Sequence, residues 1–197
     1  LYLTINDSIL RLGFSYGENA GLSFHEKVTI LEIQDLKLPK DGLDPSLYSD
    51  ADRKSLCLMI SLGRFCEMFG KRDISHKTAI YFTEAWVFNK SNSGRAIISA
   101  MARVGRSQMN QLVLDTQFID DLGSDDEKGN FGVVFAFDED SEREKILHHL
   151  GLEVNEKNLK EMKRMIKGQC WMRDPYGRFG KLNVHCPFEE MAAALKT

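Results

Sequence analysis

Apolar and polar positions along this chain change their period several times, and each change marks an element. Over residues 51–69, Leu56, Met59, Ile60, Phe65 and Phe69 recur every three to four positions, and Leu62 and Cys66 widen the stripe. That spacing places them on one face of an amphipathic helix. Ser49-Asp50 reads as its N-cap, and Gly70 followed by Lys71-Arg72 is expected to end it. A charged stretch over residues 71–77 then gives way to Ala79, Ile80, Tyr81 and Phe82, a run of apolar β-formers that predicts a buried central strand. Residues 90–94 read as a flexible turn. Over residues 95–105 the helical period returns, with Ile97, Ile98, Met101 and Val104 on one face. Residues 111–117 form a second apolar run with a polar end. Two such strands joined by a helix predict a right-handed βαβ unit, which brings Glu84 and Thr116-Gln117 to the same sheet edge.

The remaining segments are read the same way. Residues 1–21 are broken by Gly13, Gly17 and Gly21 and predict strands or loops of low regularity. Residues 25–36 are rich in β-branched side chains and predict a strand. Pro39, Gly42 and Pro45 make residues 37–49 a loop. Residues 120–130 are acidic and predict an exposed loop, and residues 132–136 a third short buried strand. Helices are expected over 138–150 and 155–166, separated by Gly151, with His148 and His149 near the C-terminal end of the first, where positive charge is favourable. A β-hairpin turning at Asp174-Pro175-Tyr176-Gly177 and a short helix over 187–195 close the chain. The fold class is α/β, with helices flanking the strands and a terminal hairpin.

Composition narrows the function. At 197 residues with 43% hydrophobic and 28% charged positions, the chain has enough sequence for one substantial core, and a single domain is expected over 1–197, with 1–24 an irregular or edge segment. A net charge of −3 supplies no global positive field for nucleic acid. No apolar run approaches the roughly 20 residues of a membrane span, and the first residues do not read as a signal peptide. The first residue is not methionine, which points to a piece of a longer protein. Cys57, Cys66, Cys170 and Cys186 form no C-x-x-C pair and sit at no zinc-finger spacing, so they read as buried thiols. His185 and Cys186 are neighbours that point to opposite faces of a strand, so no shared metal is expected.

The candidate chemistry lies at Thr83 and Glu84, because open α/β sheets carry their sites at the carboxyl ends of strands. A carboxylate there either activates a water or holds a metal through water, or it simply opens the next helix. Gly70-Lys71 is no phosphate loop: Phe65 stands where the first glycine belongs, Arg72 where Ser or Thr belongs, and the segment leaves a helix. Gly180-Lys181 is followed by Leu182 and fails too.

In order along the chain, Glu84-Ala85-Trp86, the segment Ala102 to Asn110 containing Arg103 and Arg106, Asp115-Thr116-Gln117, and the hairpin from Gly168 to Arg178 resemble motifs of the VirB/TraC/TraE-type ATPases of conjugation and type IV secretion. The resemblance implies a RecA-like P-loop NTPase sheet, here without the Walker A strand and loop, and the C-terminal portion of a motor domain. It implies Glu84 as the glutamate that polarises the attacking water and Gln117 as the γ-phosphate sensor. It implies Arg106 and Arg178, with Arg103 as second choice, as cations that reach a phosphate or a neighbouring subunit. Thr83 and Thr116 fall beside the nucleotide. ATP and magnesium are the implied ligands, with neither expected on this chain alone. The implied partners are further copies in a hexamer, and channel and coupling proteins, with DNA contacted indirectly. The implied place is the bacterial cytoplasm at the inner face of the membrane. Two departures stand out: Thr83 replaces the Walker B aspartate and brings no charge to a hydrated magnesium, and the Walker A loop and its strand are absent. Ser107 in place of a second basic residue further weakens a nucleotide role. Thr83 and the missing loop favour the alternative, a non-catalytic protein-interaction module of the same fold.

Overall fold

The computed structural model describes residues 27–33, 36–40, 43–71, 75–105, 107–123 and 128–194. The chain divides into two compact units, Leu1–Thr116 and Gln117–Thr197, and each is taken by itself. The segment expected over residues 1–21, and Arg106, lie outside the described residues.

In the first unit, helix α1 spans Asp50–Lys71. It starts as the polar pattern demands: Ser49 Oγ accepts from Asp52 N, while the Asp52 carboxylate accepts from Ser49 N and Oγ. This reciprocal arrangement satisfies backbone donors left over at a helix start. The helix is described through Lys71, so Gly70 lies in its last described turn, where it serves packing. A Cβ there would stand 2.1 Å from Asn110 Nδ2, so only glycine lets α1 lie this close to the strand that begins at Asn110. One turn earlier, buried Glu67 accepts from Arg64 and Lys71. Its burial alone would raise its carboxyl, but those two cations hold it below the ordinary value.

Strands β1 (Thr78–Phe82) and β2 (Asn110–Leu114) pair in parallel, Thr78 opposite Asn110 and Phe82 opposite Leu114. Between them lie α2 (Trp86–Asn89) and α3 (Asn92–Val104), so the β–helix–β order is as expected. Two details differ. β1 is not buried on both faces: Ile80 is buried, whereas Ala79 and Tyr81 are exposed, the alternation of a strand with one covered face. Residues 92–94 are not turn but the first turn of α3, because Ser91 Oγ accepts from Gly94 N at 3.0 Å and caps it. Gly94 is the second glycine fixed by contact, since a Cβ there would lie 2.2 Å from the Phe88 carbonyl oxygen.

The core of this unit gathers Ile80, Phe88, Ile97, Ile98 and Met101, with Met59, Ile60, Cys66, Phe82, Leu112 and Leu114 against it. Each fully buried aliphatic side chain contributes about 1.5–3 kcal/mol. Phe82 and Phe88 rings meet tilted, centroids 4.8 Å apart. The expected strand over 25–36 is absent from its described residues: 28–33 are irregular, and Val28 and Ile30 are 76% and 85% exposed. β-branched composition favours a strand only where a partner and a covered face exist.

The second unit holds an antiparallel sheet in the order β3 (Val134–Ala136), β4 (Gln169–Arg173), β5 (Phe179–Asn183). The strand expected over 132–136 therefore joins the hairpin, not the parallel pair, and it is only partly buried, with Phe135 56% exposed. Helices α4 (Arg143–Leu150) and α5 (Glu156–Lys163) pack on the sheet, and Ala136, Ile146, Leu147, Leu150, Met162 and Trp171 form the core. Both helices are shorter than expected. Asp138, expected inside the first, instead grips the Arg143 guanidinium with both carboxylate oxygens at 2.7 and 2.8 Å. Gly151 closes α4 in the left-handed region at φ 77°, the conformation glycine adopts without steric cost. The acidic segment expected as loop contains a 3-10 turn, Ile119–Leu122. Helix α6 spans Glu189–Ala194. Of the cysteines, only Cys170 is buried; Cys66 is half-buried and Cys57 and Cys186 are exposed, which corrects the reading of four buried thiols.

Candidate active site

The carboxyl ends of β1 and β2 are joined beyond the last strand pair. Asp115 N donates to the Phe82 carbonyl at 2.9 Å, and Ala85 N donates to the Asp115 carbonyl at 3.0 Å. This locks the turn over residues 83–85 against the start of the next segment. Glu84 is held there at φ 57°, a left-handed conformation that costs a non-glycine residue about 1–2 kcal/mol. It is exposed, and its Oε2 accepts a hydrogen bond of 2.6 Å from Trp86 Nε1. The Lys90 ammonium lies 5.0 Å from the centre of the Trp86 ring, a cation–π contact that steadies the indole. On the strand face beside them, the Tyr81 hydroxyl lies 3.5 Å from Asp115 Oδ2. Lost hydration, and then the Asp115 carboxylate, push the Tyr81 phenol above its ordinary value.

Thr83, Glu84 and Thr116 thus share one edge, as the parallel pairing predicts. Thr83 is exposed and Thr116 half-buried. Arg103 does not reach that edge. It is exposed in the last turn of α3, and that helix feeds the Gly105 turn leading into Asn110, at the amino end of the pair. Gln117 and Arg178 belong to the second unit. Gln117 is exposed. The Arg178 guanidinium is bound to Asp174, Nε to Oδ2 at 2.7 Å, and lies 5.3 Å from the Tyr176 ring centre, so the hairpin engages it locally. Asp174 also accepts from Tyr176 N and Arg178 N. Lost hydration pushes its carboxyl up, but these bonds outweigh it and hold the group below the ordinary range.

Trp86, Lys90 and Tyr81 were not singled out from the sequence. Trp86 stands inside the quoted motif two residues beyond Glu84, but its donor role depends on the left-handed backbone at Glu84, which nothing in a glutamate announces.

Magnesium takes near-octahedral oxygen coordination from carboxylates together with substrate phosphates. Here Thr83 is neutral, Glu84 is engaged by Trp86, and among the described residues no three His, Cys, Asp or Glu groups converge on one point. The 197 residues also contain no glycine-rich phosphate loop. Among the described residues no protein-only metal cage stands at this edge.

A family model described as an AAA-like domain matches residues 1–195. The chain belongs to the AAA-like domain family. Its mixed α/β build, with a parallel pair and a separate antiparallel sheet, is consistent with that membership. The AAA-like domain is similar to the uncharacterized protein YddE of Bacillus subtilis (strain 168), 40% identical over 193 residues, 98% of this chain and 23% of that protein. The chain thus spans less than a quarter of the length of this curated relative. No helix among the described residues is long and apolar enough to cross a membrane.

Proposed function

We propose that this AAA-like domain is the C-terminal portion of a RecA-like motor of the conjugation and type IV secretion class, in which Glu84 activates the water that attacks ATP. The supporting observation is Glu84 itself: a carboxylate in a strained left-handed turn at the carboxyl end of a parallel strand pair. Strained backbone concentrates at functional sites. In the reaction, Glu84 Oε1 takes a proton from the water as its oxygen bonds to the γ-phosphorus. The bond from that phosphorus to the β–γ bridging oxygen breaks, giving ADP and phosphate. By the family resemblance, Gln117 senses the γ-phosphate, and Arg106, Arg178 or, from a neighbouring copy, Arg103 offsets its charge. The phosphates are cradled by a loop supplied outside these 197 residues, so the chain alone turns over no ATP. The motor works as a hexamer on the cytoplasmic side of a bacterial membrane, alongside channel and coupling proteins, and contacts DNA indirectly.

Thr83 favours a second reading, a domain of the same fold that docks on a partner and hydrolyses nothing, because a hydroxyl brings no charge to the metal-bearing side of such a site.

The test is ATP binding by calorimetry and ATP turnover, in this chain and in a longer protein that includes upstream sequence. The short chain should be silent and the longer one active. A general base contributes about 10²–10⁴-fold, so Glu84→Gln in the longer protein should lower kcat by about that factor and leave ATP binding in place. A longer protein that neither binds nor hydrolyses ATP overturns the motor reading and leaves the docking domain.

A further inference from the structure

The Trp86 indole has a place in this site that the motif does not explain. Its Nε1–H donates to Glu84 Oε2 at 2.6 Å, which occupies one carboxylate oxygen. Oε1 accepts from no protein group among the described residues. A carboxylate on a flexible three-bond stem at an exposed strand end samples several rotamers, so one short bond to a ring decides where the second oxygen points. The ring is itself fixed. Trp86 begins α2, whose Val87 and Phe88 are buried; it is half-buried; and the Lys90 ammonium lies over its face. The backbone beneath is pinned by the Ala85–Asp115 bond.

We propose that Trp86 is a positioning residue: its indole N–H holds the Glu84 carboxylate in one orientation, with Oε1 presented to the attacking water. This deepens the motor reading and rests on it.

Two readouts separate this proposal from the reading beneath it. The chain has two tryptophans, so a proton–nitrogen NMR spectrum shows two indole signals. The Trp86 signal should lie downfield of an indole bonded to water and should move upfield in Glu84→Ala, while that of Trp171, buried in the second unit, stays in place. A Trp86 signal indifferent to Glu84→Ala overturns the proposal without touching the motor reading. In the longer protein, Trp86→Phe keeps the ring and removes the donor. It should lower kcat by about 10-fold, since misplacement by about 1 Å costs up to about 10², and leave the KM for ATP unchanged. Trp86→His, which keeps an N–H, should recover part of the rate. In a Glu84→Gln background Trp86→Phe should cost nothing further. Equal losses in both backgrounds, or an unchanged kcat, overturn the proposal. A longer protein with no turnover at all overturns the motor reading and this catalytic role with it, whatever the indole signals show.

Discussion

Gly70 tests the packing of the first unit most directly. An ideal Cβ there stands 2.1 Å from Asn110 Nδ2 and 2.8 Å from its Cγ. Asn110 is 7% exposed, and its Oδ1 accepts from Thr78 Oγ1 at 3.0 Å, so it cannot swing aside without losing that bond. Gly70→Ala gains up to about 1 kcal/mol in helix propensity. Against this stand about 1–3 kcal/mol for overpacking and about 1 kcal/mol for the broken hydrogen bond. The net is a loss of about 1–3 kcal/mol. With a urea slope of about 2 kcal/mol/M, the unfolding midpoint followed by circular dichroism falls by about 0.5–1.5 M. Asn110→Ala removes the obstacle, and in that background Gly70→Ala should raise the midpoint, because only the propensity term of up to about 1 kcal/mol remains. The change of sign is the signature of direct contact. If Gly70→Ala were equally destabilising in both backgrounds, close approach would not be why glycine stands at 70, and the argument would fail.

Four further outcomes follow from other parts of the chain. Ser91→Ala removes the cap on Gly94 N and should cost about 1 kcal/mol, read as a lower urea midpoint; no change would mean that the cap is idle. Asp174 has a folded carboxyl held below its unfolded value, so its contribution is present above the ordinary carboxylate range and is lost as pH falls through the folded value. On acidification below about pH 4 the native chain should therefore lose more stability than Asp174→Asn, and parallel losses would refute the linkage. Cys57 and Cys186 are exposed and Cys170 is buried, and burial pushes the Cys66 and Cys170 thiols up. An alkylating reagent followed by mass spectrometry should mark Cys57 and Cys186 first and Cys170 last. Glu84→Gln in the longer protein should lower kcat by about 10²–10⁴-fold and spare ATP binding; loss of both would move Glu84 from the chemistry to the structure.

Long-period signals were legible in the sequence and short-range contacts were not. The stripe from Leu56 to Phe69 found α1, and the two apolar runs found β1 and β2 and their β–helix–β order, because helical and strand periods survive any tertiary context. The hairpin was legible from Asp174-Pro175-Tyr176-Gly177, since a turn with glycine in the left-handed region has a local signature. The expected strand over 25–36 failed for the opposite reason: strand formation depends on a neighbour that composition cannot name. Gly70 and Gly94 read as an end and a turn, whereas both are glycines because another residue lies where a Cβ would be. At the site, Thr83, Glu84 and Thr116 were placed together by parallel pairing alone. The left-handed turn at Glu84 and the Trp86 donor were not legible, because both arise from the bond between Ala85 and Asp115 across the strand ends.

The left-handed turn points to a site only together with the side chain it carries, and the chain supplies its own control. Met109 has φ 54°, nearly the same conformation as Glu84, and it precedes β2 at the amino end of the pair. Among the described residues no hydrogen bond reaches its thioether, and Thr78 N donates to its backbone carbonyl. There the strain serves the entry into a strand. At Glu84 the same backbone geometry carries a charged side chain, and an indole donor fixed by a buried helix start and an overlying ammonium meets it. Glycine would make either turn without the steric cost. The difference lies in what the side chain does once the backbone has placed it, and at position 84 the carboxylate is oriented at the end of a sheet where substrates of open α/β folds are bound.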